Sequence, residues 1–181
     1  MPNKKIILAG GCFWCTQSLF KNVPGVVSAV SGYTGGRREN PTYEKVCSGE
    51  TGHIEAVEVT YDPAKAALDK VLEIFWRDID PTDPGGQFAD RGTQYQTAIF
   101  YLTDEQRKII EESKKKLQDS GRFDRPIVTK ILKAAKFYPA EEYHQNYSQK
   151  APDHYQRYRI GSGREEFVRE KWQAKSQNNL R

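Results

Sequence analysis

The sequence predicts an α+β protein built as a two-layer sandwich of sheet and helices. Three observations predict it: strand-like and helix-like segments alternate from Lys4 to about Leu132, the connections between them are non-uniform, and no linker divides the chain. From Phe137 onward the pattern changes to a polar, tyrosine-rich tail. Rings such as Tyr143, Tyr147, Tyr155, Tyr158, Phe167 and Trp172 each bring a large apolar area to bury, so this long, irregular tail is expected to wrap the core.

The first strand is the apolar run Lys4 to Ala9, which turns at Gly10 and Gly11 straight into a helix. Val26 to Tyr33 is a second strand that ends in Gly32-Tyr33-Thr34-Gly35-Gly36, and Ile54 to Tyr61 a third, stopped by Asp62-Pro63. Ala64, Ala67, Leu68, Val71, Leu72, Phe75 and Ile79 then recur at helical spacing until Pro81 and Pro84 prevent continuation. Asp83 to Gly92 is a glycine-rich loop of the kind that forms sites, and Gln96 to Leu102 is the next strand. Thr103 with Gln106 makes a capping box for a helix that runs to about Ser120 and closes on Gly121. Ile127 to Leu132 reads as the last core strand. Short helices follow at Glu141 to Tyr147 and, capped by Ser162 with Glu165, at Arg164 to Gln173, before a frayed Gln177 to Arg181.

A chain of 181 residues fits one domain, here 1–181 with a core of about 4–147 and a tail of about 148–175. At this length folding buries roughly 70% of the unfolded surface, so no disulfide staple is needed. Three cysteines are too few and too odd for a secreted disulfide framework, and they point to reactive thiols in a reducing, cytoplasmic setting. The apolar run after Lys4 and Lys5 is too short for a signal peptide, and no stretch reaches membrane-spanning length. The net charge of +4 comes from 28 basic and 24 acidic residues that are interspersed, which argues against a nucleic-acid surface. Lys114 to Lys116 is the one tight cluster and reads as a solvated helix face.

The chemistry concentrates at Gly10-Gly11-Cys12-Phe13-Trp14-Cys15. A cysteine in the first helical turn faces free N–H groups and the positive end of the helix dipole, which favours thiolate. A Cys-x-x-Cys pair admits zinc ligation, a redox dithiol or coincidence. Zinc lacks partners, since only Cys47, His53, His144 and His154 remain, whereas a redox dithiol needs one activated sulfur with a second in reach. Glu55 shares a strand face with Val57, Val59 and Tyr61, so burial should raise its pKa and keep it a proton donor; an edge carboxylate or ion-pair partner is the equal alternative. Tyr33, Tyr43 and Tyr95 are neutral phenol donors in turn-rich contexts, and Asp90 could orient such a donor or cap a turn. His144 reads as a packed histidine and Cys47 as a small buried thiol.

These runs, GGCFWC, GYTGG at Gly32 to Gly36, NPTYEKVCSGETGHIEAVEVTYDP at Asn40 to Pro63, DRGTQY at Asp90 to Tyr95 and FYPAEEYHQNY at Phe137 to Tyr147, resemble the peptide methionine sulfoxide reductase A family. HYQRYRIGSGREEFVREKW further resembles the subgroup whose motif is GCFWC. The resemblance implies a ferredoxin-like core and the reduction of the S epimer of methionine sulfoxide, free or peptide-bound. It makes Cys12 the nucleophile, Glu55 the acid that protonates the sulfoxide oxygen, and Phe13 and Trp14 the pocket for the substrate methyl. Tyr43 and Tyr95 would bind the oxygen, with Asp90 organising the site. Many relatives carry glycine at the position of Cys15 and resolve with C-terminal cysteines; this chain has none after Cys47, which makes Cys15 the resolving residue. The short-loop disulfide should be open to thioredoxin, no cofactor is required, and a monomer is the default. Gln17 stands where relatives usually carry glutamate. The competing readings are a thioredoxin-type oxidoreductase, whose tryptophan would precede the first cysteine, and a binding module without turnover.

Overall fold

Apolar alternation along four segments builds the centre of a six-stranded sheet in this computed structural model, which describes residues 2–173. In chain order, the first half comprises β1 (Lys4–Gly10), α1 (Phe13–Leu19), β2 (Val26–Thr34), α2 (Tyr43–Cys47), β3 (Ile54–Tyr61) and α3 (Leu68–Trp76). A small hairpin follows, β4 (Gly86–Gln87) with β5 (Asp90–Arg91), then β6 (Thr97–Tyr101), α4 (Asp104–Asp119) and β7 (Lys130–Lys133). The C-terminal part contributes β8 (Tyr138–Pro139), α5 (Tyr147–Lys150), α6 (Pro152–Gly161) and α7 (Arg164–Trp172). The sheet order is β7-β6-β1-β3-β2-β8, antiparallel throughout except for the parallel β6 and β7 pair.

Leu8 of β1 lies opposite both Val57 and Ile99, so one face of the three central strands is continuous. That face buries Ile6, Leu8, Val57, Val59, Tyr61 and Ile99 against Phe13, Val71, Leu72, Phe75 and Ile79. A smaller cluster of Ile7, Ala9, Ala56, Ala98 and Phe100 covers the other face. The protein is therefore α+β with a mixed sheet.

Several boundaries differ from the sequence reading, each for a tertiary or capping reason. The α3 stripe begins at Leu68 because Asp62 accepts from the Ala64 N–H at 3.0 Å, and its carbonyl accepts from Lys65 and Ala66, spending residues 64–66 on a turn. Thr103 Oγ1 caps α4 by accepting from Gln106 N at 3.2 Å, but the Gln106 side chain accepts from Leu102 N rather than closing the box on Thr103. The last core strand is only the edge strand β7. Ile127 N is bonded to Gln118 Oε1 and Val128 N to the Pro81 carbonyl, which holds those residues off the sheet.

The expected irregular tail is mostly helical. The helix expected over Glu141 to Tyr147 is a 3₁₀ turn at Glu142–His144, broken by left-handed Asn146 (φ 54°) before α5. The N-cap of α7 is Gly163 (φ 88°), one residue after the expected Ser162, whose Oγ accepts from Arg164 N at 3.4 Å and donates to the Arg159 carbonyl; Glu165 pairs with Arg159 Nε at 2.6 Å and closes no box on Ser162. The end of the expected tail at 174–175, and the fraying expected over Gln177 to Arg181, lie outside the described residues.

Candidate active site

Gly11 adopts φ +83°, a conformation that lets β1 turn into α1 across two residues, Gly11 and Cys12. Cys12 is the N-cap, and its carbonyl accepts from Cys15 N at 3.2 Å and Thr16 N at 3.3 Å. The first free N–H of the helix, that of Phe13, donates to Glu55 Oε2 at 3.0 Å. That contact ties the helix start to β3 and takes one of the free N–H groups that the sequence reading set before the Cys12 sulfur.

Electrostatics follow from burial. Cys12 is 7% exposed and Cys15 wholly buried. Burial pushes the Cys12 thiol well up, and neighbouring Cys15 and Glu55 push the same way, against the nearby Tyr158 hydroxyl. Burial therefore works against the thiolate expected at Cys12. The depressed thiol is Cys15: its hydrogen bond with Cys12, helped by Arg164 and Arg159 and opposed by burial, brings it down to about 7. Glu55, 3% exposed, is pushed up to about 8 by burial, with Asp90 adding and the Phe13 N–H opposing. Of the two readings the sequence left open, Glu55 lies on the buried face and not at an edge, which favours its protonated form.

Cys12, Phe13, Trp14, Tyr43, Glu55, Asp90 and Tyr95 converge on one cavity of ≈ 100 Å³. Seven of the eight sequence-expected site residues line it, and Cys15 lies behind Cys12. Burial raises the Tyr43 and Tyr95 phenols, so both are neutral donors. A larger hollow of ≈ 330 Å³ beside Ile54, Ala98 and Phe100, on the sheet face away from Glu55, has Lys130 as its only ionisable side chain. Three further residues that the sequence singled out lie outside the cavity lining. Tyr33 donates to Glu141 at 3.0 Å away from the cavity, Cys47 is half-buried with its sulfur 3.7 Å from Tyr95 Oη, and Gln17 is a buried amide that binds the Ala29 carbonyl and Gln145. No group of three His, Cys, Asp or Glu side chains suited to a metal ion occurs among the described residues.

The family model for peptide methionine sulfoxide reductase matches residues 4–176. The chain belongs to the peptide methionine sulfoxide reductase family. It is 60% identical over 167 residues to the peptide methionine sulfoxide reductase MsrA of Bacillus licheniformis, with 92% of each chain covered. The reduced form of Mxr1 from Saccharomyces cerevisiae shares the fold with a TM-score of 0.78 and 34% identity, over 83% of this chain and 87% of that one. Mxr1 in complex with Trx2 aligns with a TM-score of 0.57 and 26% identity, over 80% of this chain and 84% of that one. The chain is accordingly an oxidoreductase that acts on methionine sulfoxide.

In this reductase the C-terminal helices complete the site, which sequence reasoning missed. Tyr158 of α6 lines the cavity and donates a short hydrogen bond to Asp90. Arg164 of α7, 1% exposed, donates to the Gly10 carbonyl at 2.9 Å and to Asp78 Oδ2 at 3.1 Å, while Arg159 donates to Asp78 Oδ1 at 2.6 Å. Two cations thus stand behind the Cys12 and Cys15 pair. The aromatic richness of the tail was the one signal for Tyr158; nothing in the sequence marked Arg164 among 28 basic residues.

Proposed function

We propose that the enzyme reduces the S epimer of methionine sulfoxide, free or peptide-bound, through Cys12, Glu55 and Cys15. The convergence of Cys12 and Glu55 on one cavity carries the reading, with Glu55 held by the Phe13 N–H at 3.0 Å. Phe13 and Trp14 receive the substrate methyl, while Tyr43 and Tyr95 donate to the sulfoxide oxygen and Asp90 organises the site through Tyr158. Cys12 Sγ attacks the sulfoxide sulfur as its proton passes along the hydrogen bond to the Cys15 thiolate, and Glu55 gives its proton to the oxygen. Methionine leaves and Cys12 becomes a sulfenic acid. Cys15 then attacks Cys12 Sγ, hydroxide departs with the Cys15 proton as water, and a Cys12–Cys15 disulfide forms.

A dithiol such as thioredoxin returns both thiols and is itself oxidised; the Mxr1 complex with Trx2 supports this partner. Because Cys15 is wholly buried and Cys12 is 7% exposed, the incoming thiolate attacks Cys12 and not a freely accessible loop disulfide. An epimer-resolved assay, first with dithiothreitol and then with thioredoxin, is expected to convert the S form only and to run on both reductants. Turnover of the R form, or reduction of insulin disulfides without any sulfoxide turnover, would overturn the reading.

The proposal extends to one monomeric, cytoplasmic catalytic domain of the GCFWC subgroup, with a ferredoxin-like core and a wrapping tail. The order β6-β1-β3-β2 with antiparallel neighbours supports that core, and the contacts of Tyr158 and Arg164 with residues before 100 support the tail. No helix among the described residues is long and apolar enough to cross a membrane.

A further inference from the structure

Trp14 forms part of the cavity wall beside Cys12, and two tail residues hold its indole. Its Nε1–H donates to His144 Nδ1 at 3.0 Å, and its ring stacks on Tyr147 at a centroid distance of 3.8 Å and an angle of 8°. His144 is 1% exposed and sits among the rings of Phe13 at 5.0 Å, Tyr43 at 4.4 Å and Tyr143 at 4.1 Å. Accepting at Nδ1 places the ring proton on Nε2, a buried atom without a hydrogen-bond partner among the described residues. A buried donor left unmet is costly, so the tautomer is held by what the other nitrogen does. Burial also lowers the His144 pKa, which keeps the ring a neutral acceptor.

We propose that His144 is a positioning residue that sets the alkyl selectivity of the reductase by fixing the Trp14 indole as a rigid wall of the substrate cavity. The proposal rests on the reading of Phe13 and Trp14 as the methyl pocket. A wall that cannot yield admits a methyl and resists an ethyl, and one methylene in a fixed pocket is discriminated by roughly tenfold or more. Without the Nδ1 acceptor, Trp14 keeps its stacking on Tyr147 but loses the contact that sets its in-plane rotation. The wall then gives way to the larger group.

The test compares kcat/KM for methionine sulfoxide and ethionine sulfoxide in the full chain, in His144→Leu, in His144→Asn, which returns an acceptor near the Nδ1 position, and in Trp14→Phe. His144→Phe, which keeps ring volume, replaces the leucine variant if the latter does not fold. The methyl-to-ethyl ratio is expected to fall about threefold to tenfold in His144→Leu, a part of the one-methylene discrimination, and to recover in His144→Asn. An equal loss on both substrates marks a merely structural residue and overturns the proposal. A ratio that shifts in Trp14→Phe but not in His144→Leu overturns the positioning role alone, whereas an unchanged ratio in Trp14→Phe sinks the methyl pocket and the proposal with it.

Discussion

Glu55 occupies a β3 position on the same face as Val57, Val59 and Tyr61, and its carboxyl is correspondingly 3% exposed. Its folded pKa of about 8 lies above the ordinary 4.5, so between those values the unfolded chain releases a proton that the folded chain keeps. The stabilising contribution of the protonated group is therefore full below pH 4.5, declines as pH rises, and is lost above about 8. Glu55→Gln keeps an acceptor for the Phe13 N–H and cannot ionise. The variant is expected to match the parent in thermal melting near pH 4.5, to exceed it at pH 9, and to lose about a hundredfold or more in kcat at either pH. Equal melting curves at pH 9 would show that Glu55 is not buried uncharged. Alternation alone exposed this residue, because a carboxylate on an apolar strand face is a conflict visible in one dimension. The state of Cys12 was not visible in that way, since its pKa depends on the sheet and tail that close over it.

At the scale of elements, the turn from β1 to α1 carries the chemistry and has no slack. A Cβ at Gly11 would need φ +83° and would meet Gln87 Cβ at 2.5 Å. Gln87 cannot withdraw, because its amide donates to the Asp80 carbonyl at 2.7 Å and accepts from Asp80 N at 2.9 Å. Gly11→Ala is expected to cost about 2 kcal/mol in chemical denaturation, the sum of a left-handed conformation and overpacking, and to lower kcat because Cys12 moves with the turn. Strands β1, β2 and β3 and helix α4 were legible from period and caps, as the Thr103 bond to Gln106 N illustrates. Helix α6 and strand β8 were not. The low amphipathicity of Pro152–Gly161 reflects burial of Tyr155 alone, and Tyr138–Pro139 is a strand only because β2 offers an edge.

At the scale of the molecule, the two ends of the chain meet at the active site through Arg164. Its guanidinium joins the Gly10 carbonyl to Asp78, 2% exposed, and Arg159 shares that carboxylate. Arg164→Met removes one of two partners from a buried charge, so a loss of about 3 kcal/mol is expected in urea unfolding. The same variant should raise the apparent pKa of Cys15, read from thiolate absorbance against pH, because one of the two nearby cations is gone. An unshifted titration would assign the depressed Cys15 thiol to its hydrogen bond with Cys12 alone.

The sequence by itself determined the α+β class, the thiol pair after two glycines and the family, and it marked Glu55 while leaving its burial open, because period, turn chemistry and residue spacing are local properties. Only the tertiary structure decided how deeply the two sulfurs are buried and which cations face them, where Tyr158, His144 and Arg164 stand, and how the tail is folded. Those depend on burial and on charges brought together from opposite ends of the chain, and neither is encoded in any one stretch of it.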